Sequence, residues 1–164
     1  GVPAVDIRSD DTLHVAILQE ATNNMSSRLF KTVRDDNGLA YYAGMSIVTG
    51  IHRGHIAYYA GTRPDALAEV EKAFEAERMR VIKEGLTKEE FESAKASIRN
   101  DHYTLLQNPG KLIAIAVDSE MYGKGFMAPW QKEERMAAIT LDDLDLTLAK
   151  YLDTSSRVTA IVTP

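Results

Sequence analysis

The chain has 164 residues, with 19 lysine and arginine residues against 24 aspartate and glutamate residues, and a formal net charge of −5. The length predicts one domain, and the absence of cysteine excludes thiol catalysis, disulfide frameworks and zinc sites with cysteine ligands. The acidic balance argues against nucleic-acid and anionic-membrane partners, because both require a basic surface. No apolar run reaches the roughly 20 residues that cross a bilayer.

The first part of the chain is predicted to contain a loop and two helices. Residues 1–10 lack periodicity, so we interpret them as an N-terminal loop or a processing or cloning boundary. Acidic residues ahead of apolar positions predict a helix over residues 10–21. Ser26 or Ser27 is a candidate N-cap for a second helix over residues 28–34.

Two strands and then a run of helices are predicted to follow. Residues 39–51 and 53–61 are rich in tyrosine and apolar residues, and the two glycines near their junction predict an antiparallel hairpin. Capping-box patterns begin at Thr87 and Thr140, and residues 157–163 alternate as in a final strand. Helices are predicted over residues 63–84, 87–107, 112–122 and 140–152, and a short helix or turn over residues 129–138. Because helices and strands are segregated along the chain, the predicted fold class is α+β.

The four histidines are the first candidates for a metal site or a general base. His52 and His55 have an H-x-x-H spacing, but in a hairpin their side chains project to opposite faces, which favours solvated turn residues over metal ligands. His14 and His102 lie in predicted helices and are expected at the surface or partly packed. Neither H-E-x-x-H nor H-x-x-E-H occurs, so the chain contains no recognisable zinc site.

One segment carries a more specific pattern. Residues 25–42 read MSSRLFKTVRDDNGLAYY, which resembles the S-S-R-L-F…R-x-x-x-G-L-A-Y signature of the C-terminal half-domain of M16 zinc peptidases. That family includes the mitochondrial processing peptidases, the pitrilysin-like enzymes and their bacterial relatives. Further similar segments are AGT at 60–62, EGLTKEE at 84–90 and ITLDDL at 139–144. In this order they span most of residues 11–162.

The resemblance implies an architecture and two site residues. M16 peptidases pair two α+β halves, each a mainly antiparallel sheet with helices packed on one face, the LuxS/MPP-like metallohydrolase fold. One half binds zinc through H-x-x-E-H and a distal glutamate, and the other half supplies an arginine and a tyrosine seven residues apart. Arg34 and Tyr41 have that spacing here. The resemblance therefore implies that Arg34 and Tyr41 are the catalytic and substrate-binding residues of this chain.

The chemistry of the two residue types suits these roles. A forked, permanently charged guanidinium can bind a substrate carbonyl or carboxylate, and a tyrosine hydroxyl can donate a hydrogen bond to a developing oxyanion. Structural roles stay open for both residues. Arg34 is in the last turn of its predicted helix, where a cation stabilises the helix dipole. Tyr41 begins an apolar strand and could belong to the core, and its neighbour Tyr42 is an alternative candidate.

The expected function is the non-metal half of an M16-type zinc metalloendopeptidase. The resemblance implies zinc on a partner half, carried on the same longer chain or on a separate subunit, with none bound by this chain. A peptide is the expected substrate, and the isolated chain is expected to be inactive. The alternative is a non-catalytic structural or interaction subunit of the same fold. Residues 11–164 would form the C-terminal-type domain without its first strand, as part of a bacterial-type protein of the cytoplasm or periplasm.

Overall fold

A computed structural model describes residues 1–24, 27–36 and 38–162. For residues 34–36 it describes the backbone only. The strands are β1 (Val2–Ala4), β2 (Ala40–Val48) and β3 (Gly54–Thr62). The α-helices are α1 (Thr12–Asn23), α2 (Arg28–Phe30), α3 (Leu67–Glu84), α4 (Lys88–Leu106), α5 (Pro109–Met121), α6 (Lys132–Ala138) and α7 (Leu141–Leu152). A π-helical turn over Lys31–Asp36 continues α2, and a 3-10 turn over Pro64–Ala66 precedes α3.

The three strands form one antiparallel sheet in the order β1-β3-β2. Strands β2 and β3 are the predicted hairpin, in which Met45 lies opposite Tyr58 and Ile47 lies opposite Ile56. Side chains alternate between the two faces of a strand, and these four point to the face that the helices cover. The helices pack on one face of an antiparallel sheet, so the predicted α+β fold is confirmed.

The main core lies between this inner face and the helices that cover it. Helices α1, α3, α4, α6 and α7 all contribute buried residues to it. Helix α7 is the most regular case, because its buried leucines recur every four residues and so form one apolar stripe. Fully burying each such side chain stabilises the fold by about 1.5–3 kcal/mol. The stripe consists of Leu144, Leu148 and Leu152.

The predicted helix starts agree with the capping contacts. Thr87 accepts a hydrogen bond from the backbone N–H of Glu90, whose carboxylate accepts one from the N–H of Thr87. Thr140 and Asp143 form the same reciprocal pair. Ser27 accepts a bond from the N–H of Phe30 at 3.2 Å and so caps α2. The alternative cap, Ser26, lies outside the described residues.

Two predictions at the ends of the chain are wrong. Val2–Ala4 lie in the predicted N-terminal loop, yet they form β1, because Val2 pairs with Ile56 and is buried. A strand therefore does precede the first helix. Residues 155–162 form no strand. Val158 exchanges one pair of hydrogen bonds with Gly1, and a single pair does not make a strand ladder.

The second helix also differs from its prediction. An α-helix was expected over residues 28–34, but the α-helical part ends at Phe30 and the backbone continues as a π-helix. The π-helical turn places more residues in each turn than an α-helix does. Val33 is fully buried within it and its carbonyl accepts a hydrogen bond from the N–H of Leu39 at 2.9 Å. Burial of Val33 together with this bond fastens the turn to the entry of β2.

Candidate active site

Arg34 lies in the π-helical turn, directly after the buried anchor Val33. Its backbone belongs to the described residues and its side chain does not, so the direction of the guanidinium remains a prediction. The bond between Val33 and Leu39 closes the segment that joins Arg34 to Tyr41. The two sequence-predicted site residues are therefore attached to the same end of β2, although they are seven residues apart.

Tyr41 lies at an irregularity in the β2–β3 ladder. Ala40 pairs with Thr62 and Tyr42 pairs with Gly61, so Tyr41 is the extra residue of a β-bulge. A bulge redirects the side chain at the extra position, and bulges are frequent beside active sites. The Tyr41 side chain is 87% exposed. The structural alternative, in which Tyr41 is part of the core, is therefore wrong.

The side chain of Tyr42 contacts that of Tyr59, and the two rings form an aromatic surface on the outer face of the sheet. Their ring centroids are 6.2 Å apart, and the Tyr41 ring meets the Tyr42 ring edge-on at 6.5 Å. The Tyr42 ring lies directly over Gly61, where an added Cβ would come within 2.4 Å of a ring carbon. Glycine at this position thus leaves room for Tyr42 to lie flat against β3.

A shallow hollow of about 480 Å³ opens at this end of the sheet. Tyr41, Tyr42 and Arg63 line it, and the Arg63 side chain is mostly exposed while its Nε lies 3.2 Å from the Asp65 carboxylate. Sequence reasoning treated Arg63 only as the start of a helix. Its place near Tyr41 follows from the pairing of β2 with β3, which brings Thr62, the residue before Arg63, opposite Ala40. The hollow thus combines two exposed phenols with a cation that could bind a peptide carbonyl.

The histidines are separate from this site. His52 and His55 are exposed near the β2–β3 turn, as predicted. His102 contradicts the prediction of a surface or partly packed residue, because it is only 3% exposed. Its Nδ1 is buried without a hydrogen-bond partner among the described residues, and burial lowers its pKa. Helix α4 packs against α1, α5 and α6, and burial that arises from such tertiary packing is not indicated by helical spacing alone.

The described residues do not fit a bound zinc ion. No group of three or more histidine, aspartate or glutamate side chains in that part of the chain is arranged to hold a metal.

The described helices also give no candidate for a membrane span, because none of them combines the length and the apolar character that a span requires.

Solved structures share the fold over nearly the whole chain. An inactive peptidase domain from Bordetella parapertussis has a TM-score of 0.83 at 17% identity, covering 96% of this chain and 90% of that chain. A protease from Helicobacter pylori has a TM-score of 0.78 at 16% identity, covering 92% of this chain and 36% of that chain. At such identities the likeness establishes the fold alone.

Curated relatives share the sequence over most of the chain. An uncharacterized zinc protease of Streptomyces coelicolor is 30% identical, covering 88% of this chain and 32% of the relative. One from Rickettsia felis is 32% identical, covering 85% of this chain and 34% of the relative. The chain thus spans about a third of the length of these relatives. Residues 2–98 match the family described as the peptidase M16 inactive domain, and the chain belongs to that family.

Proposed function

We propose that this chain is the non-metal half of a zinc metalloendopeptidase and that it contributes Arg34 and Tyr41 to an active site shared with a zinc-binding half. The proposal is supported above all by the bulge at Tyr41. A tyrosine that is excluded from the ladder and almost fully exposed contributes little to the packing of this domain. Its hydroxyl is available to a substrate in a neighbouring half.

Tyr41 would act on the carbonyl oxygen of the peptide bond that is cleaved. When water adds to the carbonyl carbon, negative charge develops on this oxygen, and a phenolic O–H can donate a hydrogen bond to it. The bulge fixes the backbone at Tyr41 between two paired residues, Ala40 and Tyr42. A donor on a rigid strand needs little reorganisation during the reaction, which is the condition for effective oxyanion stabilisation.

Arg34 and Arg63 would bind the substrate rather than the oxyanion. A guanidinium presents several N–H donors in a plane and is suited to a peptide carbonyl or a carboxylate. Arg34 is attached to the entry of β2 through the buried Val33, and Arg63 lines the hollow beside Tyr41. In this proposal the two guanidinium groups bind the backbone carbonyls of an extended peptide that lies across the hollow.

Zinc belongs to the partner half in this proposal. A zinc ion bound there supplies Lewis-acid chemistry for peptide hydrolysis at neutral pH. Two observations support this assignment: the curated relatives are named zinc proteases, and the described part of this chain has no cluster of metal-binding side chains. The chain spans only about a third of those relatives, which leaves room in them for a second half.

A structural or interaction subunit is the second candidate function. The exposed tyrosines would then be part of an interface, since large exposed aromatic side chains are typical of docking surfaces. The retained spacing of Arg34 and Tyr41 favours the enzyme, because an interface does not require it. An H-x-x-E-H motif in the sequence adjacent to this chain would favour the peptidase further. For the whole protein we propose the bacterial cytoplasm or periplasm; a periplasmic protease of Escherichia coli, PqqL, is among the solved structures that share the fold.

Reconstitution tests the proposed function. The purified chain is mixed with its proposed zinc-binding half, taken from the same longer chain or from a separate subunit, and hydrolysis of a quenched fluorescent peptide is measured with and without a chelator. We expect chelator-sensitive hydrolysis from the mixture and none from the chain alone. Hydrolysis by the zinc-binding half alone at the rate of the mixture would leave this chain without a catalytic role. Chelator-sensitive hydrolysis by the isolated chain would contradict the division of labour.

A further inference from the structure

The bulge at Tyr41 also decides the direction of the residue that follows it. Ala40 and Ala43 both pack against the buried cluster that α2 and α3 form beneath the sheet. In a regular strand two residues that are three apart face opposite sides, so Ala40 and Ala43 share a face because the strand contains an extra residue. Tyr41 and Tyr42 lie between them, and both side chains are largely exposed. The bulge therefore places two consecutive tyrosines on the outer face of the sheet.

The rings of Tyr42 and Tyr59 each cover a glycine on the neighbouring strand. Tyr42 pairs with Gly61 and Tyr59 pairs with Gly44 in the β2–β3 ladder. An added Cβ would come within 2.4 Å of a Tyr42 ring carbon at Gly61, and within 2.8 Å of the Tyr59 hydroxyl oxygen at Gly44. Each tyrosine thus occupies the space that the side chain of any other residue at the opposite position would need. The two cross-strand pairs hold the aromatic surface of Tyr42 and Tyr59 against the sheet.

Tyr41 stands at one side of this aromatic surface. Its ring is nearly perpendicular to the Tyr42 ring, at an interplanar angle of 86°, whereas the Tyr59 ring is inclined to the Tyr42 ring by 46°. The three rings form a corner, with Tyr42 and Tyr59 as its base and Tyr41 as its side. Tyr42 and Gly61 also line the hollow that contains Tyr41 and Arg63. The corner is therefore continuous with the candidate active site.

The chemistry of this surface favours a neutral aromatic ligand. The side chains of Tyr42 and Tyr59 are 53% and 46% exposed, so about half of each is available for contact. The outer face carries no charged side chain between positions 42 and 46 or between positions 57 and 61. A charged substrate side chain would therefore find no opposite charge on this part of the face. An aromatic ring can stack on the two tyrosines or meet them edge-on, at centroid distances of about 4.5–7 Å.

We propose that Tyr42 and Tyr59 form a subsite for an aromatic side chain of the peptide substrate, and that Gly61 positions the Tyr42 ring within it. This inference rests on the proposed peptidase function, because it names the class of side chain that the same site selects. The Tyr41 and Tyr42 ring centroids are 6.5 Å apart, which is the length of two residues of extended chain at about 3.3 Å each. The aromatic side chain therefore lies within two residues of the carbonyl to which Tyr41 donates.

Substrate selectivity of the reconstituted enzyme tests this proposal. Quenched fluorescent peptides carry phenylalanine, alanine or arginine in turn at each position within two residues of the cleaved bond. At one of these positions, kcat/KM with the natural chain should be at least about tenfold higher for phenylalanine than for alanine. Tyr42→Ala should lower this ratio to less than about threefold, because it removes half of the aromatic surface.

Two further substitutions separate the position of the ring from its presence. Gly61→Ala keeps both tyrosines, but its Cβ displaces the Tyr42 ring, so the ratio of phenylalanine to alanine should again fall below about threefold. Ser46→Ala lies on the same outer face, opposite Ala57, and is the matched control. It should leave the ratio within about twofold of the natural value.

A binding measurement on the full chain alone separates the subsite from the peptidase function. Acetyl-Gly-Phe-Gly-amide and acetyl-Gly-Ala-Gly-amide are added in turn to chain with isotope-labelled tyrosine rings, and the ring signals are followed by NMR. We expect the phenylalanine peptide alone to shift the signals of Tyr42 and Tyr59. Tyr103, exposed on α4, gives the reference signal. Such shifts, with no hydrolysis by the mixture of the two halves, would contradict the peptidase function and support aromatic binding by the two tyrosines.

Three outcomes would overturn the subsite. The first is an unchanged ratio of phenylalanine to alanine in both Tyr42→Ala and Gly61→Ala, in a mixture that hydrolyses peptides, which would leave the peptidase function intact. The second is an equal preference for arginine and phenylalanine, which would indicate cation–π binding. The third is a shift of the Tyr42 and Tyr59 signals by the zinc-binding half without peptide, together with loss of their response to the phenylalanine peptide. That result would make the surface an interface between the halves.

Discussion

The side chain of Asn23 binds the backbone of Met45 as a neighbouring strand would. Its Nδ2 donates to the Met45 carbonyl at 2.8 Å, and its Oδ1 accepts from the Met45 N–H at 2.7 Å. Asn23 is the last residue of α1, so the two bonds join a helix end to the outer edge of β2. They also occupy the centre of that edge, which hinders the pairing of another strand there.

Replacement of Asn23 by alanine should destabilise the chain. Two hydrogen bonds are lost, and the expected decrease in the free energy of unfolding is about 1–2 kcal/mol. Urea denaturation monitored by circular dichroism measures this change. Asn100→Ala, at an exposed position of α4, is the matched control and should change the free energy by less than about 0.5 kcal/mol. Equal decreases in the free energy of unfolding for the two substitutions would contradict a stabilising role of the Asn23 amide.

Gly85 ends α3 in a conformation that other residues adopt with difficulty. Its φ of 67° and ψ of −162° lie in a region occupied almost only by glycine, and an added Cβ would come within 2.3 Å of the Asp145 carboxylate oxygens. Gly85→Ala should lower the free energy of unfolding by about 3 kcal/mol. Gly123 also has a positive φ, but a Cβ added there would meet no other atom. Gly123→Ala should therefore lower the free energy of unfolding by only about 1–2 kcal/mol. The reverse order in thermal or urea denaturation would contradict this account.

The buried His102 should make stability depend on pH. Desolvation by burial, and then the nearby Lys132, lower its pKa below the ordinary value of 6.5, whereas Glu133 acts in the opposite direction. As the pH falls below 6.5, the unfolded chain takes up a proton at this position more readily than the folded chain does, so stability decreases. The Tm of the natural chain should therefore be lower at pH 5.5 than at pH 7.5. These two values lie about one pH unit below and above the ordinary pKa of 6.5.

Two variants separate the contribution of His102 from other titrations. His102→Phe should show a smaller decrease of Tm over this pH range, because its side chain cannot bind a proton. His52→Gln, in the exposed turn, should keep the dependence of the natural chain. An NMR titration that places the pKa of His102 above 6.5 would contradict the prediction directly.

Arg34 should be sensitive to replacement by lysine if it binds the substrate through two donors. Lysine keeps the charge but loses the planar fork, so Arg34→Lys in the reconstituted enzyme should raise KM or lower kcat/KM by about tenfold or more. Arg53→Lys, in the exposed turn between β2 and β3, is the matched control with an expected change of less than twofold, within about 0.5 kcal/mol. Unchanged peptide kinetics in Arg34→Lys would leave only a charge role for this residue.

Local signals explain which parts of the fold were predictable. The hairpin and the capping boxes at Thr87 and Thr140 depend on residues close in sequence, and all three are present. Strand β1 was not predictable because three residues with one proline carry no periodicity, and its partner Ile56 is more than fifty residues away. The segment 157–163 alternates like a strand, but a strand also needs a ladder partner along its length.

The candidate site was predictable in residue identity but not in geometry. A motif spacing selects Arg34 and Tyr41, whereas the bulge that exposes Tyr41 arises from the offset between Ala40 and Tyr42 in pairing with β3. The neighbouring Tyr59 and the role of Gly61 beneath Tyr42 also follow only from that pairing. Glycine at position 61, opposite an aromatic residue in the hairpin, was the available signal for this surface.

The turnover of Tyr41→Phe in the enzyme reconstituted with its zinc-binding half tests the central claim most directly. This substitution removes a single exposed hydroxyl and keeps the ring, so the fold should be unchanged. If Tyr41 donates a hydrogen bond to the developing oxyanion, kcat should fall by about 10²–10³-fold. Tyr103→Phe, at an exposed position of α4 outside the hollow, should change kcat by less than about threefold and serves as the control. An unchanged kcat in Tyr41→Phe, with the circular dichroism spectrum of the natural chain, would contradict the account.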